Sequence, residues 1–180
     1  MNELYNRYAL ALLEIAKEEK KVEDYRDEVA SLRLVFKGNP EFVHFLANFN
    51  FELDEKYSFI DNNLSKTYDD ELIAYIKIIV RNGRANLLYK IFNETLMRFD
   101  DFLGIERGTI YSTYPLDSKD LYRIKDVIEK NTSKRIELNN IIDKDLIGGI
   151  KIVLKNDIYD ASILSKVNGL KKALLKGGND

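Results

Sequence analysis

Apolar residues recur at steps of three and four through the first hundred positions, then give way to shorter alternating runs. Between about Asn2 and Glu19, Tyr5, Tyr8, Leu12 and Ile15 share one helical face. Val22, Tyr25, Val29, Leu32 and Phe36 define a second helix, expected antiparallel to the first after a very short turn. Gly38-Asn39-Pro40 reads as punctuation, with a left-handed Gly38 closing one helix, Asn39 as N-cap and Pro40 opening a short third helix through Ala47. Asp54 opens a fourth pattern with Tyr57, Ile60 and Leu64. Asp69 or Asp70 caps a fifth, in which Leu72, Ile73, Tyr75, Ile76, Ile78, Ile79 and Val80 leave little polar face, as expected of a central helix. Asn82-Gly83 ends it, and Leu87, Leu88, Ile91, Phe92, Thr95 and Phe99 carry a sixth.

The pattern changes at Gly104. Gly104, Gly108 and the β-branched, aromatic stretch Thr109 to Tyr114, stopped by Pro115, predict a strand and a domain boundary. Asp117 or Ser118 caps a helix bearing Leu121, Ile124 and Ile128, and Arg135 to Ile142 reads as a strand with Ile136, Leu138 and Ile142 on one face. Ile150, Ile152 and Leu154 then alternate with lysines and Val153, Asn156-Asp157 suits a hairpin turn, and Asp160 or Ser162 caps a terminal helix with Ile163, Val167, Leu170 and Leu174. The fold class predicted is a six-helix bundle over residues 1–104, followed over 105–180 by a small α/β domain in the order β-α-β-β-hairpin-α.

Charge and composition narrow the function classes. With 180 residues, 45% hydrophobic and a net charge of −2, the chain can bury a core but sets up no positive field for nucleic acid or anionic lipid. Lys166, Lys171, Lys172 and Lys176 read as a solvated helix face. Absence of cysteine removes disulfides and thiolate metal sites, the N-terminus lacks a basic leader pattern, and no apolar run reaches the ~20 residues of a membrane span. A cytosolic protein is expected.

Catalytic signals are weak. Gly148-Gly149 is followed by Ile150, not by the lysine and hydroxyl of a phosphate loop, so the pair reads as a strand start needing unusual backbone angles or close approach. His44 is the sole histidine, which excludes a triad built on a second one and a multi-histidine zinc site. The acids Glu18-Glu19, Asp54-Glu55, Asp69-Asp70-Glu71 and Asp100-Asp101 fall at helix ends; capping explains those at N-termini, and solvation beside the linker is expected for Asp100-Asp101.

Four stretches together resemble a known family. Arg7-Tyr-Ala-Leu-Ala-Leu-Leu-Glu-Ile-Ala16, Asn82-Gly83-Arg84 after an apolar helix, Pro115-Leu-Asp117 after a strand, and Asp145-Leu-Ile-Gly148-Gly149-Ile150 with Asp160-Ala-Ser162 follow the order and spacing of the delta subunit of bacterial F-type ATP synthase. That subunit is related to the mitochondrial oligomycin-sensitivity-conferring subunit. The chain departs where the family often has Asp-Gly-Ser, here Asp160-Ala161-Ser162, and where a basic run is usual, here Ile163 to Lys166.

The resemblance implies a non-catalytic stator subunit without cofactor, metal or substrate of its own. It would lie peripherally at the cytoplasmic face of a bacterial membrane and hold the catalytic head still while the rotor turns. Its N-terminal domain would receive an amphipathic N-terminal helix of the alpha subunit on helices one and five, and its C-terminal domain would meet the ends of the b subunits. A helix-in-groove contact needs exposed apolar positions at helical spacing. Tyr8, Ala11 and Ile15 on helix one and Ala74 and Ile78 on helix five meet that description, Ala11 because a small side chain admits a close partner. The alternative is a free-standing helical adaptor outside the synthase.

Overall fold

The helical periodicity of the first hundred residues is realised as α1 (Glu3–Glu18), α2 (Val22–Gly38), α3 (Pro40–Ala47), α4 (Leu53–Leu64), α5 (Asp70–Arg81) and α6 (Leu88–Leu103), with a 3₁₀ turn at Ala85–Leu87. The computed structural model describes residues 3–155, 157–163 and 165–167, and the chain divides into two compact units, Met1–Leu103 and Gly104–Asp180.

Local chemistry sets the helix starts. Asp69 takes the N-cap of α5, accepting from the Glu71 backbone N–H, while Glu52 and Glu55 form a reciprocal capping box at α4. Gly38 departs from expectation: it remains the last helical residue of α2, and among the described residues the left-handed glycines are Gly83, Gly104 and Gly149. The chain breaks at Asn39 because Pro40 disfavours helical angles for the residue before it; Asn39 takes φ −127° and ψ 71°. Its side chain donates to Val35 O and so closes α2; it does not cap α3.

The bundle core joins Leu12 and Ala16 of α1, Tyr25, Val29, Leu32 and Phe36 of α2, Ile60 of α4, Leu72, Ile76 and Ile79 of α5, and Ile91, Phe92, Leu96 and Phe99 of α6. The helix packed against both α1 and α2 is α6, the place the sequence reading assigned to α5. Asp100 corrects a second expectation. It is buried, and its carboxylate accepts from Arg26 Nε at 2.7 Å, tying α6 to α2. A carboxylate in that position needs a cation, since an unpaired buried charge is far costlier than a solvated one.

The second unit is built on a mixed sheet of order β2-β1-β3-β4. β1 (Ile105–Ser112) pairs in parallel with β2 (Arg135–Ile142) through the crossover helix α7 (Ser118–Thr132), whose N-cap is Asp117. β3 (Ile150–Val153) runs antiparallel to β1, and β4 (Ile158–Asp160) antiparallel to β3. Ile110, Ile128, Ile136, Ile152 and Leu154 form its core, with Leu121 and Ile124 of α7 against it. Ile142, expected inward, is 49% exposed. The inward position two residues earlier is Asn140, which donates to Ile110 O and Ser112 Oγ and accepts from the Leu116 N–H. Asn156, half of the expected hairpin turn, and Leu170, Lys171, Lys172, Leu174 and Lys176 of the expected terminal helix lie outside the described residues.

Gly149 combines both reasons for a glycine: its φ is +80°, and a Cβ would stand 2.5 Å from Ala161 O. Gly148 faces the Ile163 side chain, and Ser162 Oγ accepts from the Ser165 N–H while Asp160 accepts from the Ser162 N–H. Denaturant unfolding tests these contacts. Gly149→Val destabilises the second unit by more than about 2 kcal/mol, whereas Gly38→Ala, with open space at a helical position, is neutral or stabilising by up to about 1 kcal/mol. Arg26→Met, which removes the cation 2.7 Å from buried Asp100, costs about 3–5 kcal/mol, and Arg26→Met with Asp100→Leu recovers most of it.

Candidate functional site

Two ties at opposite ends set α1 and α5 antiparallel. Near the start of α1, the Tyr8 ring meets the edge of Tyr75 at 6.2 Å between centroids, and its hydroxyl accepts from Arg84 Nη1 at 2.6 Å and Asn82 Nδ2 at 3.0 Å. The Arg84 guanidinium also sits 5.5 Å over the Tyr8 ring. Gly83, left-handed at φ 68°, turns the chain so that Asn82 and Arg84 on either side of it reach one oxygen.

At the far end, just beyond α1, Lys21 Nζ lies 2.8 Å from Asp69 Oδ2 at the start of α5 and 3.5 Å from Glu19. Tyr25 of α2 donates to Glu19 Oε2 at 2.5 Å, and Glu28 accepts from the Asp69 backbone N–H. The crowd of carboxylates perturbs its members. The Glu71 side chain first, and Lys21 next, hold Asp69 down at about 2. Glu71 is pushed up, chiefly by Asp69. Burial, then Glu19, raises the Tyr25 phenol far above its ordinary range.

Between the two ties both helices keep apolar residues at the surface. On α5, Leu72, Ile73, Tyr75, Ile76, Ile79 and Val80 are buried, leaving Ala74 and the 52% exposed Ile78 four residues apart in a narrow outward stripe. On α1, Ala9, Leu12, Leu13 and Ala16 are buried, while Ala11 is exposed and Ile15 is 37% exposed. Tyr8 differs from the other four: half-buried, it anchors α1 to the close of α5. That role had no signal in the sequence, because Tyr8 and Arg84 stand 76 residues apart.

His44 is exposed beside a shallow hollow with Pro40, Phe45, Asn48 and Phe51. Among the described residues no group of three or more His, Asp or Glu is placed to hold a metal, and no helix is long and apolar enough to cross a membrane. In the second unit Ile147, 69% exposed, takes φ 62°, an unusual conformation for a β-branched residue, next to Gly148. Ile163 and Val167 are also exposed.

Comparison with known proteins gives the family of the chain. The family model for the ATP synthase delta (OSCP) subunit matches residues 4–174. The chain is 33% identical over 171 residues to the ATP synthase subunit delta of Bacillus cytotoxicus, and 31% identical to that of Bacillus anthracis, in each case over 94% of both chains. Its fold is similar to that of a chain in the mitochondrial ATP synthase hexamer of Toxoplasma gondii, with a TM-score of 0.69, 18% identity and coverage of 97% and 98% of the two chains.

The carboxylate cluster yields a direct check. A group held below its ordinary value stabilises the fold above that value, and the contribution fades as pH falls towards the folded one. Asp69, shifted from 3.8 to about 2, loses its contribution in that interval. A carboxyl-carbon NMR titration of the full chain should place its midpoint near 2, and Lys21→Met should raise that midpoint.

Proposed function

Because the chain belongs to the ATP synthase delta (OSCP) subunit family, a component of the peripheral stalk, we propose that it links the catalytic head to the b subunits as a non-catalytic stator. The first unit receives the amphipathic N-terminal helix of an alpha subunit on the face shared by α1 and α5. The second unit meets the far ends of the b subunits. The chain works at the cytoplasmic face of a bacterial membrane, held there by the complex, and needs no cofactor.

One observation carries the head contact: α5 buries Leu72, Ile73, Tyr75, Ile76, Ile79 and Val80, yet leaves the apolar residues Ile78 and Ala74 exposed. An exposed apolar stripe at helical spacing, beside a second one holding Ala11 and Ile15, fits a helix laid into a groove. Ala11 and Ala74 let a partner backbone approach closely, and Ile15 and Ile78 supply the apolar area. For the second unit, exposed Ile147, Ile163 and Val167 around the Gly148-Gly149 strand start support a helical partner there.

A stator must resist torque without turnover. The side chains at the α1/α5 face satisfy one another in static contacts, Tyr8 with Arg84 and Asn82, Lys21 with Asp69. Such pairs hold two helices in fixed register, which suits force transmission through a docked helix.

Ile78→Asp should weaken binding of an alpha-subunit N-terminal peptide by more than about a hundredfold in calorimetric titration, because a carboxylate would be desolvated without a partner. Since Ile78 is half exposed in the free chain, the mutant's melting temperature should barely change. Ala11→Asp should behave in the same way. A stably folded Ile78→Asp chain that binds like the wild type would remove α5 from the interface.

A further inference from the structure

Where α1, α2 and α5 meet, there are more acceptors than hydrogens to fill them. The Tyr25 oxygen touches three carboxylates: Glu19 Oε2 at 2.5 Å, Asp69 Oδ1 at 3.3 Å and Glu71 Oε2 at 3.4 Å. A phenol carries one hydrogen and an ionised carboxylate only accepts, so the shortest contact, to Glu19, takes it. The other two contacts are left without a hydrogen. Lys21 Nζ donates to Asp69 Oδ2 at 2.8 Å and lies 3.5 Å from Glu19, and the Asp69 N–H goes to Glu28. The Glu71 N–H is divided between Asp69 Oδ1, at 3.3 Å, and its own carboxylate. Glu71, half-buried and facing Asp69, is the acid with least to hold its charge.

The charges are equally unbalanced. Glu19, Glu28, Asp69 and Glu71 surround a single cation, Lys21. The other charged residues of these segments, Glu18, Lys20, Glu23, Asp24 and Asp70, are exposed. A helix start favours negative charge, and Asp69, as N-cap and partner of Lys21, takes that advantage. A proton on the Glu71 carboxyl removes one charge and supplies the missing hydrogen, its O–H donating to an Asp69 that stays ionised beside Lys21.

We propose that this junction is a proton-operated clasp: a proton taken from solution onto Glu71 and shared with Asp69 tightens the start of α5 against α1 and α2, and its release loosens it. The clasp works whether or not the α1/α5 face is occupied. The hydrogen bond with Asp69 first, then burial and the charges of Asp69 and Glu19, lift Glu71 above the ordinary glutamate value, against the pull of its own N–H. An acid so raised binds its proton more tightly in the folded chain than in the unfolded one. Its ionisation therefore weakens the fold above the folded midpoint, and the loss is recovered as pH falls through that midpoint. Asp69 acts with the opposite sign, but only between 3.8 and about 2, while Lys21 is raised from 10.5 and titrates at the alkaline end. From neutrality down to the ordinary glutamate range, Glu71 sets the sign at this junction.

Amide exchange in the full, nitrogen-15-labelled chain reads the clasp at Ile73, whose N–H donates to Asp69 O at 3.1 Å in the first turn of α5. After correction for the intrinsic pH dependence of exchange, protection should rise roughly two- to tenfold from about pH 8 to about pH 5, the worth of one net hydrogen bond. Glu71→Gln, whose amide supplies a donor at every pH, should be the better protected at the alkaline end and level with the wild type at the acid end. Protection that is flat or falls on acidification overturns the clasp, as does a Glu71→Gln profile that tracks the wild type. A carboxyl-carbon titration decides independently of that variant. Asp69→Asn keeps an N-cap side chain and should bring the Glu71 midpoint down. A wild-type midpoint at or below the ordinary glutamate value, or one that Asp69→Asn leaves unmoved, contradicts the proposal.

Discussion

The Tyr8 hydroxyl, accepting from Arg84 at 2.6 Å and Asn82 at 3.0 Å, ties the start of α1 to the turn that closes α5. Lys21 and Asp69 make the matching tie at the other end. Between these points neither helix can rotate or slide without breaking a hydrogen bond to a partly buried group, so each helix must present the same residues outward. On α1 those include Ala11 and Ile15, and on α5 Ala74 and Ile78. An interface that transmits force needs this kind of constraint more than it needs binding energy. Helix register holds the apolar stripes in place, and the turn at Gly83 sets the register.

The rest of the bundle supports that face from behind. α6 packs on α1 and α2, and the buried Arg26–Asp100 pair fixes α2 to α6 near the end of the unit. Buried ion pairs contribute little net stability but penalise alternative packings, because any shift that separates them leaves a desolvated charge. In the second unit Asn140 plays a comparable part, binding Ile110 O, Ser112 Oγ and the Leu116 N–H, and so joining β2, β1 and the loop before α7.

Local patterns were readable where local physics decides. The Asp69 and Asp117 caps, Pro40 at the first turn of α3 and the close approach at Gly149 each follow from residues within a few positions, or from a backbone angle only glycine tolerates easily. Gly38 shows the limit: glycine often ends a helix in the left-handed region, but here the following Asn39-Pro40 supplies the break and Gly38 stays helical. Long-range pairings carried no signal at all. Asp100 looks like a solvated acid beside a linker until the fold brings Arg26, 74 residues away, to 2.7 Å. Helical spacing marked Tyr8, Ala11 and Ile15 as one face, yet could not separate the anchor from the two outward residues. That distinction depends on Tyr75, Asn82 and Arg84.

The α1/α5 face is proposed to be occupied by an alpha subunit in the assembled synthase. A photoreactive side chain at Ile78, 52% exposed, tests this when compared with one at Leu34, 60% exposed on α2. After illumination of the intact, purified complex, the Ile78 probe should form its main adduct with an alpha subunit, and the Leu34 probe should give little or none. An Ile78 probe that reacts only with solvent, or the same alpha-subunit adduct at equal yield from Leu34, would contradict the account.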